Sequence, residues 1–398
     1  MKPAKWMFLF GALFLAFLTS CGGGSACNGT LTYVGGGNKN GFVCNGGPGG
    51  PGPSVAPVYV YAMDGSNNIH AAALTDGSTF AELTSLSLPM LAIQSYDMIV
   101  VSKKFLYVSG ISGSDGEVFG YKIDSATGGL TAITGNPVLT GTQAGFSMAT
   151  DPLGRFLYVG DGSGEVAAFT IDPSTGALAA TPNSPFQLDP NTGLGISFSL
   201  VVEKSGKYLY VGQGPGARAG LVADVFGFSI DQNTGDLTPI VGEPFVLGVG
   251  QLDLAPSLPY IVGTSDTSGD NRIYSITVGQ TGILAPIVGS DTLATPNQVF
   301  AHPAGKYVYA LENGQFAGNT LEVFAMDSGG NLNLANGSPF ISSESLGTCK
   351  IDQNGDWAFC TTSISKIAVF GIDTGSGALS STISSIAMGD GLLLAVTD

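Results

Sequence analysis

Few residues in this chain could carry acid–base, nucleophilic or metal chemistry. Histidine occurs only at His70 and His302, and there is no Gly-x-Ser-x-Gly nucleophile elbow. The cysteines, at 21, 27, 44, 349 and 360, are distant in sequence from either histidine, so a Cys/His metal site is a poor reading. The remaining set is polar and sits between strand-like segments: Asp161, Gln213, Arg218, Asp266, Glu312 and Asn313. Gln143, Gln251, Asn297 and Gln298 stand at the starts of other strands. As catalytic candidates, Glu312 and Arg218 pair a carboxylate that could activate water with a cation that could hold an oxyanion. Asp161, Gln213, Asn297, Gln298 and Asn313 suit a pocket for a neutral, carbohydrate-like ligand. The bland reading of the same residues is solvated loops around a water-filled channel. The stretch Asp266-Thr267-Ser268-Gly269-Asp270-Asn271 lacks the spacing and terminal Glu of an EF-hand and reads as a turn. His302 reads as a turn residue and His70 as structural. No cofactor and no metal is called for.

These residues must be held by a repeat. Its mark is an aromatic strand: Val58-Tyr59-Val60-Tyr61, Phe105–Val108, Phe156–Val159, Tyr208–Val211, Tyr260–Gly263, Tyr307–Ala310 and Trp357–Cys360. The starts step by 47, 51, 52, 52, 47 and 50 residues. A period near 50 made of strands indicates a β-propeller with four antiparallel strands per blade. Here A is the innermost strand, B the aromatic one, C one that ends near Asp, and D the outermost. Glycine turns such as Thr175-Gly176 lead from C to D, where a hairpin needs positive φ. Complete repeats start near Tyr96, Phe146, Phe198, Leu252, Val299 and Cys349, whereas residues 55–88 lack a strand A. Residues 390–398 read as a strand A with nothing after it. The fold expected is therefore all-β: a seven-bladed propeller over 55–398, its first blade completed by the C-terminal strand. Closure of this kind removes the exposed edges of a linear stack.

The amino terminus is of another kind. Lys2 and Lys5 precede the apolar run Trp6–Leu18 and then Leu18-Thr19-Ser20-Cys21, which reads as a signal peptide over 1–20. The ending resembles a bacterial lipobox, with Cys21 as the lipidated first residue. Residues 21–54, rich in Gly and Pro, read as a lipidated tether. Without Lys2 and Lys5 the 14 basic residues become 12 against 30 acidic ones, and the net charge moves from −16 to −18. That balance argues against nucleic acid as a partner. The expected partners are the membrane, through the lipid anchor, and a small carbohydrate-like ligand or a protein. The expected location is the bacterial cell envelope, at the outer membrane, because no Asp follows Cys21. In an oxidising compartment the other cysteines read as two disulfides, Cys27 with Cys44 and Cys349 with Cys360.

The block Asp151-Pro152-Leu153-Gly154-Arg155-Phe156-Leu157-Tyr158-Val159 resembles the seven-bladed lactonase-like propellers, related to bacterial 6-phosphogluconolactonase. So do Ile171-Asp172-Pro173-Ser174-Thr175-Gly176-Ala177-Leu178 and His302-Pro303-Ala304-Gly305-Lys306-Tyr307-Val308-Tyr309. The resemblance covers about residues 55–398. It implies a sugar lactone as substrate and a diagnostic Pro-Arg-His stretch, followed later by Asn-Glu. On this sequence Pro296 matches, but Asn297 stands for the Arg, Gln298 for the His, and Glu312-Asn313 for the Asn-Glu. Neither amide takes a proton at neutral pH. The expectation is a binding or scaffold propeller without intact lactonase residues. The alternative is a hydrolase acting on a sugar lactone through a rearranged site around Glu312 and Arg218.

Overall fold

A computed structural model describes residues 30–34, 41–45 and 56–397, apart from 76, 78, 84–85, 88–92, 144, 189–196, 214–223, 256–259, 266–269, 287–288, 313–318, 364, 382–383 and 388–392. The chain divides into two units, residues 1–54 and 55–398. In the first, Thr30–Val34 pairs antiparallel with Gly41–Asn45, placing Leu31 opposite Cys44. The expected signal segment, Cys21 and the Cys27–Cys44 bond lie outside the described residues.

The second unit is a seven-bladed propeller of antiparallel sheets. Blade 3 shows the plan: strand A is Gly145–Thr150, B is Phe156–Asp161, C is Glu165–Ile171, and D is split into Leu178–Ala180 and Phe186–Gln187. Blade 1 is built from both ends of the unit. Leu393–Val396 is its strand A and pairs with Val58–Met63. Thr397 finishes the joint, because its hydroxyl accepts from Tyr59 N at 2.7 Å and its own N–H donates to the Tyr59 carbonyl at 2.8 Å.

The aromatic strand is buried on both faces because each blade is sandwiched between two others, as in Phe156–Asp161. Its alternate residues make the joint between blades. The Phe105 ring lies where a Cβ on Gly176 would fall, 2.5 Å from it, and Phe156 stands the same way over Gly235. Both glycines also need φ near +80°, at 76° and 81°, so the turn is fixed to Gly by conformation and by contact. The next aromatic then donates its hydroxyl to that turn's carbonyl: Tyr107 to Gly176 at 2.7 Å, Tyr158 to Gly235 at 3.0 Å, Tyr210 to Gly282 at 2.7 Å, Tyr309 to Gly377 at 2.9 Å. A fully buried ring contributes on the order of 2–3 kcal/mol by removal from water. Blade 1 follows the rule with Tyr61 to Gly128. Its repeat therefore begins at Tyr59, one place later than an alignment on Val58 puts it. Within Val58–Tyr61, Tyr59 and Tyr61 pack toward blade 2, whereas Val58 and Val60 pack toward blade 7.

Two other details depart from the sequence reading. The strands ending near Asp stop one or two residues earlier, since the Asp starts the C–D turn. Asp172 Oδ1 accepts from the N–H groups of Ser174 and Thr175, and Asp231 from Asn233 and Thr234. Strand D is in two pieces in blades 1 to 6, and in blades 2, 3, 4 and 6 a cis X-Pro bond lies between the pieces, at Pro137, Pro185, Pro244 and Pro339. The residue before each proline caps the strand C backbone left facing the break. Gly120 N donates to Asn136, Ala168 N to Ser184, Gly227 N to Glu243 and Val323 N to Ser338, all at 2.9 Å.

Cys349 and Cys360 face each other across strands A and B of blade 7 and form a disulfide, as the sequence reading expects.

Candidate functional site

The inner strands enclose a channel cavity of about 570 Å³. In blades 2 to 7 each strand A carries a register shift, between Ser95 and Asp97 in blade 2 and between Pro296 and Gln298 in blade 6, for example. Such irregularities re-aim side chains, and here polar ones line the channel. They are largely occupied with the next blade. Asp97 Oδ2 accepts from Met148 N at 2.7 Å, Ser147 Oγ from Leu200 N at 3.2 Å, and Ser199 Oγ from Leu252 N at 2.9 Å. Gln251 Oε1 accepts from Val299 N at 3.0 Å. Gln298 grips the Cys349 peptide at both ends, accepting from its N–H at 2.8 Å and donating to its carbonyl at 2.9 Å. These bonds form a belt from blade 2 to blade 7. In blade 1 the closing strand offers Leu393 and Leu394 to the cavity instead.

Gln298, read from sequence as a pocket residue, is thus a buried link between blades. Asn297 beside it is exposed, lines the cavity and is the freer of the two to meet a ligand. Asp97, Asp253 and Lys350 also line it. Sequence reasoning passed over these three because each lies within a strand rather than in a loop. The signal was available: a charged residue in the middle of an inner strand has only the channel to face. Burial pushes the Asp97 carboxyl up, against the pull of Lys350 and of two donors, Met98 N and Met148 N.

The mouth where D–A and B–C loops meet carries the other candidates. Asp64, Asp161, Gln213 and Glu312 occupy one repeat position, the fifth residue counted on from Tyr59, Phe156, Tyr208 and Tyr307. It is a capping position. Asp161 accepts from the N–H groups of Ser163 at 2.9 Å, Glu165 at 2.7 Å and Gln143 at 3.3 Å, tying the B–C loop to the D–A loop. Asp64 caps Ser66 and Asn68 in the same way. Glu312, buried like Asp161, accepts from Ala294 N at 3.0 Å, the counterpart of the Gln143 bond. Its longer side chain also meets Glu322, which accepts from Leu293 N at 2.9 Å. Burial and the hydrogen bond to Glu312 push the Glu322 carboxyl up to about 8. Glu312 is therefore directed at loop backbone and at a second acid. Arg218 and Asn313 lie outside the described residues, as do Asp266 and the side chain of Gln213.

The histidines are both engaged in structure. His302 is buried in an A–B turn, where Nδ1 accepts from Ala304 N at 3.0 Å and Nε2 donates to the Gly355 carbonyl at 2.9 Å. Burial lowers its pKa, which suits this neutral tautomer. His70 bridges Asp64 at 3.0 Å and Glu82 at 3.1 Å; burial opposes its charge, but the two carboxylates outweigh that and raise its pKa. Among the described residues no cluster of three or more His, Cys, Asp or Glu could hold a metal ion.

Residues 60–193 match the family model described as lactonase, seven-bladed beta-propeller. No curated protein matches the chain. Solved structures do. A candidate 6-phosphogluconolactonase from Bacteroides fragilis aligns with a TM-score of 0.72 at 17% identity, covering 88% of this chain and 100% of its own. The periplasmic gluconolactonase of Pseudomonas aeruginosa aligns with a TM-score of 0.65 at 18% identity, covering 86% and 99%. At such identities the likeness is one of fold. The family pattern lies in residues 60–193 and the seven blades span 58–397, so the chain is a seven-bladed β-propeller whose first blades resemble the lactonase family.

Proposed function

We propose that the protein is an extracytoplasmic binding propeller, exported and held at the bacterial outer membrane through lipidated Cys21. It seats a small, neutral, hydroxyl-rich ligand in the channel and does not hydrolyse lactones. The observation that carries this reading is the state of the mouth residues. Where a lactonase-like site would place ionisable side chains, Asn297 and Gln298 offer amides, and the Glu312 carboxylate is engaged by Ala294 N and Glu322. The cavity of about 570 Å³ is of the size that takes a small molecule. Asn297 and Thr348 give it donors and acceptors suited to hydroxyl groups.

One observation favours the second reading, a lactonase-type hydrolase with a rearranged site. Asp97 and Lys350 line the same cavity, a carboxylate and a cation together. In that case Asp97 would be the base and Lys350 the oxyanion partner. The test is direct: turnover of simple sugar lactones by the full chain, by Asp97→Asn and by Glu312→Gln, alongside calorimetric binding of the corresponding free sugars. Saturable sugar binding weakened by Asn297→Ala, with no turnover above buffer, supports the binding reading. Turnover abolished by Asp97→Asn overturns it.

A further inference from the structure

Strand A of blade 6 is reached by a crossing, residues 292–295, that leads from the outer strand of blade 5 into Pro296–Ala301 and so to Asn297 in the channel wall. Blade 5 holds both ends of the crossing through Asn271. Its carbonyl accepts from Thr292 N at 2.8 Å and its Oδ1 from Thr295 Oγ1 at 2.7 Å. Blade 6 holds the middle, with Leu293 N donating to Glu322 at 2.9 Å and Ala294 N to Glu312 at 3.0 Å. Glu322 and Glu312 are 2% and 3% exposed and bond to each other. The architecture does not need the second acid. In blade 3 the same crossing is capped by one carboxylate, Asp161, through Gln143 N at 3.3 Å. Glu322 stands opposite Ala310, and at that place blades 2, 3, 4, 5 and 7 carry Phe119, Ala167, Phe226, Tyr274 and Ala368. Blade 1 repeats the arrangement with other residues: His70 stands at the place of Glu322 and bonds Asp64, at the place of Glu312, at 3.0 Å.

Two carboxyl groups bond to each other only while one of them carries a proton. Burial first, then the bond to Glu312, raise Glu322 to about 8. Once that proton is lost, two like charges lie buried side by side, and the pair must open or admit water. Few other charges surround it among the described residues. The crossing and strand A of blade 6 have none. Blade 5 brings Asp253, which accepts from Ala301 N at 2.9 Å, and Arg272, which pairs with Asp270 at 3.4 Å and Asp291 at 3.0 Å. Blade 7 brings Lys350 and the Glu344–Lys366 pair at 3.5 Å. The charge that acts on Glu322 is that of Glu312. We propose that Glu312 and Glu322 are positioning residues that form a proton-operated latch: closed, it fixes the crossing and the approach to Asn297; opened by loss of the proton, it frees the crossing and weakens ligand binding there. The effect on binding rests on the reading of the channel as a ligand site; the latch itself does not.

The latch is tested without a ligand, by quenched-flow hydrogen exchange of the full chain at pH 6 and pH 9.5, corrected for the intrinsic rate at each pH. Protection of the Leu293 and Ala294 amides should fall about tenfold or more between the two. The Gln143 amide, held by Asp161, should keep its protection. Glu322→Gln retains a donor for Glu312 and an acceptor for Leu293 N but has no proton to lose, so both amides should stay protected at either pH. The consequence is read by calorimetry with glucose as the probe. Its Kd should rise about tenfold from pH 6 to pH 9.5 in the native chain and stay level in Glu322→Gln. Protection that does not change with pH overturns the latch, as does the same loss in Glu322→Gln or an equal loss at Gln143. If protection is lost but glucose binds the native chain equally at both pH values, the positioning role is overturned. Absence of glucose binding at both pH values counts against the ligand reading of the channel, and the exchange result then decides the latch by itself.

Discussion

The joints around blades 2 to 7 and the joint that closes blade 1 solve the same problem with different chemistry. Along the continuous stretch, polar side chains of each strand A accept the next strand's N–H, ending with the two-ended grip of Gln298 on the Cys349 peptide. At the closing blade Leu393 and Leu394 have no polar side chain to make such links; the joint is strand pairing, apolar packing and the Thr397 clamp on Tyr59. The contrast separates architecture from function in the channel wall. A polar residue facing a channel is a ligand candidate only after its hydrogen bonds to neighbouring blades are counted. By that count Gln298 belongs to the frame and Asn297 to the site.

The largest test of the comparison is removal of residues 390–398. Blade 1 would lose its inner strand, and the ring would acquire two open edges. Loss of cooperative unfolding, or a midpoint lowered by well over 10 °C in thermal denaturation, is expected; an unchanged midpoint would sink the closure. Next is the disulfide, which braces blade 7 beside that joint. Replacing Cys349 and Cys360 together by Ala should cost about 3 kcal/mol in denaturant unfolding, from the freed loop and the vacated core. Gln298→Ala should cost about 2 kcal/mol, because it strands both polar groups of the Cys349 peptide. Asn297→Ala, by contrast, should stay within about 0.5 kcal/mol of the native chain. If those two values were reversed, the assignment of frame and site would be reversed with them.

The smallest effect concerns the Glu312–Glu322 pair. Glu322 is raised from 4.5 to about 8 in the fold, so the protonated form is the one the fold favours. Its contribution is present below pH 4.5 and is lost as pH rises to about 8. Glu322→Gln keeps an acceptor for Leu293 N and a donor for Glu312 but does not titrate. The variant and the native chain should melt together near pH 5. At pH 8.5 the variant should melt higher, by about 2–4 °C for each kcal/mol recovered. Identical pH profiles would show that Glu322 is not raised in the fold.

Much of the architecture was open to reading because a propeller repeats local patterns. Aromatic alternation, Asp before a glycine turn and a period near 50 all arise from interactions within one blade or with the next. The unpaired strand at residues 390–398 announced closure for the same reason: a strand A without a B needs a B without an A. The site was less legible. Asp161 and Glu312 look like loop acids in the sequence, but they lie buried against backbone N–H groups from another loop, Gln143 and Ala294, 18 residues away in each case. Asp97, Asp253 and Lys350 sit in three blades and meet only at the channel.

The sequence by itself determined the number of blades, the strand order, the Cys349–Cys360 bond and the absence of the Arg-His pair expected of a lactonase-like mouth. These depend on residue type and spacing along the chain. Only the tertiary structure decided which polar residues were free to serve a ligand. Hydrogen-bond partners some 50 residues apart, such as Gln298 with Cys349 and Asp97 with Met148, are set by the stacking of whole blades. That stacking leaves no mark in the local pattern of either strand.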